Sequence, residues 1–237
     1  MDPNTGAARP PLTTNESVAH LIEHPLLGPA LTSGQVTSAI EAARRDGIAA
    51  VCVRPCDIDL AVRLLEGSPV KAGSVAGFPH GTANTATKLY EARDLLRRGA
   101  KEIDMVINYA RLLSREFQSV QTELLQMSES CRKEGAILKV TLETYYLTKE
   151  LKIVACQCCE RADSHLVKTA TGFAPAADSP EDLRLLRENL PDDIGIEGAA
   201  VGTLDEVLAA YGLGCDRVGV ANPGPVLAEW KARLAGR

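Results

Sequence analysis

Short apolar runs alternate with longer amphipathic stretches along the chain from residue 15 onward. A run such as residues 49–53 is apolar on both faces, as strands are in a parallel sheet covered by helices. The longer stretches have helical spacing, and Ser33 is the predicted cap of a helix that ends at Gly47. The pattern predicts strands at residues 24–27, 49–53, 70–76, 102–108, 137–142, around Leu166, 194–196 and 217–220, and helices at 15–23, 33–45, 57–65, 82–98, 114–134, 148–161, 179–188, 203–211 and 225–234.

Eight strands, each followed by a helix, result when residues 24–27 are counted as the first strand. Eight such units in 237 residues predict an α/β fold, a closed (β/α)8 TIM barrel with a short N-terminal helix, over an open doubly wound sheet. The first strand is not followed by a glycine-rich dinucleotide fingerprint, which also disfavours a Rossmann fold. Residues 12–237 are predicted to form this single domain, and the polar, proline-rich residues 1–11 a disordered tail.

Composition and charge argue against a nucleic-acid-binding protein, a membrane protein and a zinc protein. The net charge is −5 with no basic block, so no nucleic-acid partner is predicted. No apolar run approaches the roughly 20 residues that a membrane span needs, and residues 1–11 lack a signal-peptide core. The seven cysteines show no zinc spacing, so we expect reduced thiols, no metal and a cytoplasmic protein.

A lysine, Lys168, ends the short apolar run at Leu166 and is followed at once by Thr169, Ala170, Thr171 and Gly172. This pattern predicts a buried strand that leaves the sheet into a loop. Desolvation disfavours a charged amine, and a lysine with a lowered pKa is the usual nucleophile for a Schiff base. The alternative is a lysine that reaches the rim and pairs with a carboxylate. This stretch alone does not decide between them.

Chemistry in a barrel belongs at the carboxyl ends of its strands. The side chains predicted there are His24, Cys52, Phe78, Asp104, Lys139, Glu143, Lys168, Glu197 and Asn222. Period-two alternation places Lys139, Thr141 and Glu143 on one face of their strand. Charged groups inside a barrel are costly unless they are paired or used, so the sequence predicts either a structural ion-pair network or, as the better interpretation, a functional site.

The strand-end residues lie in motifs that resemble the deoxyribose-phosphate aldolases, a family of class I aldolases on (β/α)8 barrels. The similarity extends from about residue 20 to residue 227 and is most specific at residues 167–173. Its other motifs are residues 23–27, 51–53, 77–81, 102–108 and 138–144. The resemblance implies that Lys168 forms the Schiff base and that Asp104 relays protons through a water.

The chain departs from the family pattern in the seventh strand, in the eighth strand and in the first motif. Glu197 stands where the family has a second lysine, and the glycine pair and arginine that follow it are absent. The eighth strand ends in Asn222 and Pro223 instead of small hydroxyl residues and glycine, and Glu23 replaces an aspartate. A carboxylate beside Lys168 would raise the pKa of that lysine and keep it charged, unless Glu197 pairs with Lys139 instead.

These observations predict a diverged Schiff-base lyase that acts on a small aldehyde or ketone without the usual phosphate. The alternatives are the ordinary cleavage of 2-deoxyribose 5-phosphate and an inactive barrel that only binds. Lys168, Asp104 and Lys139 are the predicted catalytic residues. The predicted substrate-binding residues are Glu197, Cys52, Thr171, Gly172, Asn222 and His24. We expect no cofactor, no membrane partner and a homodimer.

Overall fold

Eight parallel strands close into a barrel in sequence order in the computed structural model, which describes residues 9–175 and 179–236. This confirms the predicted (β/α)8 barrel with a short N-terminal helix. The strands are β1 (Ile22–Leu26), β2 (Ala50–Val53), β3 (Lys71–Ala76), β4 (Glu102–Val106), β5 (Ile137–Thr141), β6 (Leu166–Lys168), β7 (Gly195–Val201) and β8 (Arg217–Val220).

The helices surround the barrel and pack on it through a continuous apolar layer. They are α1 (Asn15–Ala19), α2 (Ser33–Asp46), α3 (Ile58–Leu64), α4 (Thr85–Arg97), α5 (Tyr109–Leu113), α6 (Phe117–Lys133), α7 (Lys149–Arg161), α8 (Pro180–Asn189), α9 (Leu204–Gly212) and α10 (Pro223–Ala235). None of these helices is long and apolar enough to cross a membrane.

The bounds differ from the sequence prediction at several elements; β7, for example, extends to Val201, whereas the predicted strand ended at residue 196. The first helix ends at Ala19, so β1 begins two residues before the predicted start and includes Glu23. The helix predicted at 114–134 begins later, as α6, and is preceded by the short helix α5. Arg115, with φ of 60°, breaks the helical conformation between the two. The cap of α2 is Thr32 instead of Ser33, because the Thr32 side chain accepts the Gln35 N–H.

The predicted N-terminal tail lies mostly outside the described residues. Its last part contacts the barrel: the Arg9 guanidinium donates to the Cys215 carbonyl, and the Tyr211 hydroxyl donates to the Pro10 carbonyl at 2.8 Å. Disorder of residues 1–8 therefore stays a prediction.

The register of the barrel places the charged side chains at different depths. Thr141 pairs with Lys168 across β5 and β6, and Lys168 pairs with Glu197 across β6 and β7. Lys139 lies two residues earlier on β5, opposite Asp104 on β4. Since alternate residues point inward, Lys139 lies one step deeper in the barrel than Lys168.

A second buried ion pair supports the end of β4 from the helical layer. The Lys88 ammonium on α4 donates to the Val106 carbonyl at 2.8 Å and to the Glu123 carboxylate on α6 at 2.7 Å. The Lys88 side chain is fully buried and that of Glu123 is 3% exposed. Gly77 permits this arrangement, since a Cβ there would lie 2.7 Å from Lys88 Cε.

Candidate active site

Lys168 ends β6 inside the mouth of the barrel, surrounded by carboxylates from three other strands. Its Nζ lies 2.9 Å from Glu197 Oε1 on β7, 3.1 Å from Glu23 Oε1 on β1 and 3.5 Å from Asp104 Oδ2 on β4. The Lys168 side chain is 6% exposed, whereas that of Lys139 is 1% exposed. Lys168 is therefore the more accessible of the two ammonium groups.

Lys139 occupies the layer below and shares the same carboxylates. Its Nζ donates to Glu23 Oε2, lies 2.8 Å from Glu197 Oε2 and lies 3.9 Å from Asp104 Oδ2. Glu197 thus contacts Lys168 through one carboxylate oxygen and Lys139 through the other. The sequence left open which lysine Glu197 would pair with, and in the structure it contacts both.

Two further contacts complete the interior. The Thr141 hydroxyl donates to Asp104 Oδ1 at 2.6 Å, which fixes that carboxylate beside Lys168. Below Lys139, the Arg217 guanidinium on β8 donates to Glu102 on β4 and lies 3.9 Å from Glu23 Oε2. Charged side chains fill much of the space that Val, Ile and Leu usually occupy in a barrel.

Burial and ion pairing act in opposite directions on these groups. Burial alone lowers the pKa of Lys168, but Glu197, Glu23 and Asp104 outweigh it and raise that pKa well above its ordinary value. The pKa of Lys139 is raised by Glu197 and Glu23 in the same way, against its burial. Both lysines are therefore held in the charged form at rest, and the amine of Lys168 must lose a proton before it can react.

The two glutamates behave differently. Burial raises the pKa of Glu197, and the neighbouring Glu23 carboxylate raises it further. For Glu23, Lys139, Lys168 and Arg217 outweigh burial and hold the pKa well below its ordinary value. Burial and the Glu23 charge also raise the pKa of the Cys52 thiol well above its ordinary value, so this side chain is a neutral neighbour.

The loop after β6 lies against the loop after β5. Glu143 adopts a left-handed backbone conformation with φ of 56°, and its carboxylate accepts the Thr171 N–H at 3.2 Å and the Thr171 hydroxyl. Gly172 follows with φ of 83°, where a side chain would be strained. Thr171 and Gly172 therefore shape the rim of the mouth beside Lys168.

Besides Thr171 and Gly172 at the rim, two of the predicted site residues are not brought into the charged cluster. The His24 ring lies beside β8, with Nδ1 3.0 Å from the Val220 carbonyl, because His24 follows the inward-facing Glu23 by one residue. Asn222 is exposed at the N-cap of α10, where its side chain makes no capping hydrogen bond. Substrate contacts by either residue stay predictions.

Glu23 is the main member of the cluster that the sequence analysis did not select as a site residue. It was assigned to the end of a helix, which hid the alternation that turns it inward. Thr141, Glu102 and Arg217 were also not selected. Strand alternation could have found Thr141, since it shares a face with Lys139.

One group of potential metal ligands lies in the described part of the chain. Single atoms of Glu23, Cys52 and Asp104 lie within 4.8 Å of one another. Both carboxylates already contact the Lys168 ammonium, and a metal ion among them would be repelled by that charge. Metal independence stays the prediction.

Comparisons with known proteins show which family the chain is similar to. A sequence model of the DeoC/LacD family aldolases matches residues 22–179. The deoxyribose-phosphate aldolase of Caldanaerobacter subterraneus subsp. tengcongensis is 36% identical over 222 residues, which cover 93% of this chain and 96% of that protein. The deoxyribose-phosphate aldolase of Thermotoga petrophila is 35% identical over 222 residues, covering 93% of this chain and 89% of that protein.

A solved structure gives the same fold. The deoxyribose phosphate aldolase of Aeropyrum pernix, described as a tetramer, matches with a TM-score of 0.85 at 28% identity and covers 94% of both chains. The homodimer expected for this chain stays a prediction. The family model matches residues 22–179, and the sequence similarity extends over nearly the whole chain. The chain therefore belongs to the DeoC/LacD family of aldolases.

Proposed function

We propose that this protein is a Schiff-base lyase that makes or breaks a carbon–carbon bond in an aldehyde or ketone without a terminal phosphate. Lys168 is the nucleophile, since it is the more accessible lysine of the cluster and has carboxylates within 3.5 Å of its Nζ to move protons. Asp104 is the proton relay, held by the Thr141 hydroxyl at 2.6 Å. Lys139 remains charged below them and stabilises the carboxylates.

The start of α9, which follows β7, supports a substrate without phosphate. The Glu206 carboxylate accepts the N–H groups of Gly202 and Thr203 at 3.0 and 2.9 Å. The hydrogen bonds from the Thr203 hydroxyl and these two N–H groups lower the pKa of Glu206, so a negative charge already occupies these donors. A phosphate dianion would have to displace this carboxylate and approach its charge.

The start of α10, which follows β8, offers few donors as well. Pro223 and Pro225 have no backbone N–H, which leaves Gly224 as the one N–H among the first three helical positions. Phosphate binding at a helix start depends on several convergent N–H groups. The proposal of a non-phosphorylated substrate rests on this observation: α10 offers few backbone N–H donors, and those at the start of α9 are already bound by Glu206.

Aromatic side chains follow strands β3 to β6, after the strand ends where Lys168 also lies. Phe78 and Phe173 are in edge contact at 5.3 Å between ring centroids, and Tyr109 and Tyr146 are stacked at 5.3 Å. Phe173 and Tyr145 remain 54% and 50% exposed. Such rings suit an apolar or hydroxylated substrate tail better than a dianion.

The second candidate is the ordinary cleavage of 2-deoxyribose 5-phosphate to glyceraldehyde 3-phosphate and acetaldehyde. It is favoured by the names of the relatives, which are 35–36% identical and called deoxyribose-phosphate aldolases. A single comparison separates the two candidates: the cleavage rates of 2-deoxyribose and of its 5-phosphate. The proposal predicts a kcat/KM for the sugar at least equal to that for the phosphate, and no inhibition by inorganic phosphate.

The Schiff base is tested by borohydride reduction with propanal, followed by peptide mapping. The adduct is expected on Lys168, and Lys168→Met should abolish it. Lys149→Met, at an exposed position on α7, serves as the matched control and should label normally. Labelling at Lys139 would contradict the assignment. Failure of the wild-type protein to trap propanal or any other small aldehyde would instead favour an inactive binding barrel.

A further inference from the structure

The charges inside the barrel do not balance. Four buried carboxyl groups share the interior with three buried cations, and every one of these side chains is at most 9% exposed. The acids are Glu23, Glu102, Asp104 and Glu197, and the cations are Lys139, Lys168 and Arg217. An unpaired negative charge is expensive in such an environment, so one of the four carboxylates accepts a proton more readily than an exposed carboxylate does.

Glu197 is the carboxylate best placed to accept that proton. Its side chain is fully buried, and burial and the neighbouring Glu23 charge both raise its pKa. Glu23 contacts both lysines and lies 3.9 Å from Arg217, so it is the better stabilised anion of the pair. The remaining charged group that acts on Glu197 is the Arg217 guanidinium, which favours the ionised form of Glu197 as the two lysines do.

The two oxygens of Glu197 have different surroundings. Oε2 lies 2.8 Å from the Lys139 ammonium, which is deeper and less exposed. Oε1 lies 2.9 Å from the Lys168 ammonium, which faces the mouth. One oxygen is thus held in place by a permanent cation while the other lies within proton-transfer distance of the proposed nucleophile.

We infer that Glu197 is a catalytic acid and base, which takes a proton from the Lys168 ammonium and later returns it to the departing oxygen of the substrate. This inference rests on the proposed Schiff-base function. In a low-dielectric site the proton transfer converts an ion pair into a neutral amine and a carboxylic acid, which removes the cost of two buried charges. Lys168 is then reactive although its carboxylate neighbours favour its charged form.

The steps balance without any further reagent. The neutral Lys168 amine attacks the carbonyl carbon, the nitrogen loses a proton to the oxygen, and a carbinolamine forms. Glu197 then protonates the carbinolamine hydroxyl, the carbon–oxygen bond breaks, and water leaves as the iminium ion forms. The sum is ammonium plus aldehyde giving iminium plus water, and Glu197 is a carboxylate again at the end.

The test compares Glu197→Gln with Glu23→Gln as the matched control, since Glu23 also contacts both lysines. The measured quantity is the rate of borohydride trapping of propanal on Lys168 across the neutral pH range. Glu197→Gln should lower this rate by about 10²–10⁴-fold, the usual contribution of a positioned acid or base. Glu23→Gln removes one negative charge beside Lys168 but leaves Glu197 to accept the proton, so it should lower the trapping rate by less than about tenfold.

The pH profile separates a chemical role from a structural one. Without Glu197 the amine must lose its proton to solvent, so the trapping rate of Glu197→Gln should rise steadily with pH, while that of the wild type stays flatter. Trapping by Glu197→Gln within about threefold of the wild type, or equal losses in the two variants, would overturn the inference. A wild type that traps no aldehyde would overturn the proposed function instead.

A second variant covers the case in which Glu197→Gln does not fold. Glu197→Asp keeps a carboxyl group one methylene farther from Lys168, and it should trap propanal more slowly with the flat profile of the wild type. A folded Glu197→Asp protein, checked by its melting temperature, whose rate rises with pH like an unassisted amine would refute the inference.

Discussion

Replacing the deeper lysine, Lys139→Met, tests the charge network most directly. Methionine fills a similar volume without charge, so the change removes the deeper of the two ammonium groups that contact both Glu23 and Glu197. Removing one partner of a fully buried ion pair typically costs about 3–5 kcal/mol. In a chain of this size each kcal/mol lowers Tm by about 2–4 °C, so a fall of about 6–20 °C is expected.

The assay is thermal and urea unfolding of Lys139→Met beside Lys149→Met, the exposed control, which should stay within about 0.5 kcal/mol of the wild type. The loss should shrink as the pH falls, because protonation of the spare Glu197 carboxylate then removes the uncompensated charge. The double variant Lys139→Met/Glu197→Gln should be more stable than the sum of its single changes by about 0.5–3 kcal/mol. A loss below about 1 kcal/mol in Lys139→Met would refute the idea that this lysine compensates the carboxylates.

Three further outcomes are expected. The pKa values of Lys139 and Lys168 are raised in the folded protein, so their ionisation adds stability that is fully present below the ordinary pKa of 10.5 and is lost as the pH rises through the folded values. The urea midpoint should therefore fall above pH 10.5. This fall should be less steep in Lys168→Met. Lys88→Met leaves Glu123 unpaired and the Val106 carbonyl without its donor, so urea unfolding should show a loss of about 3–5 kcal/mol, partly recovered by adding Glu123→Gln. A chelator should leave propanal trapping unchanged, and a loss of trapping that zinc restores would contradict metal independence.

The sequence is sufficient to predict the barrel and much of the site, because both depend on simple periodicities. Alternating strand and helix patterns determine the order of the elements. The two-residue period of a strand, combined with the rule that barrel chemistry lies at strand ends, selects Lys168, Asp104 and Glu197. These residues meet in the structure within 3.5 Å of the Lys168 Nζ.

The remaining features depend on information that a single sequence does not carry. Residues 109–113 are too few for a helical period to be visible, so α5 was not predicted. Glu23 lies where a short helix gives way to a short strand, and a shift of two residues in that boundary decides whether it turns inward. The contact of Glu197 with both lysines depends on side-chain reach across three strands, which no local pattern encodes.

The ionic contacts inside the barrel also bear on how the chain folds. The first four strands contribute Glu23, Glu102 and Asp104 to the cluster, whereas the last four contribute Lys139, Lys168 and Arg217 with Glu197. Each half-barrel therefore has an interior of predominantly one charge sign, and its partners lie far along the chain, from 35 residues for Lys139 and Asp104 to 116 residues for Lys139 and Glu23. A half-barrel alone would have to bury unpaired charges, so closure brings two electrostatically complementary halves together in one cooperative step.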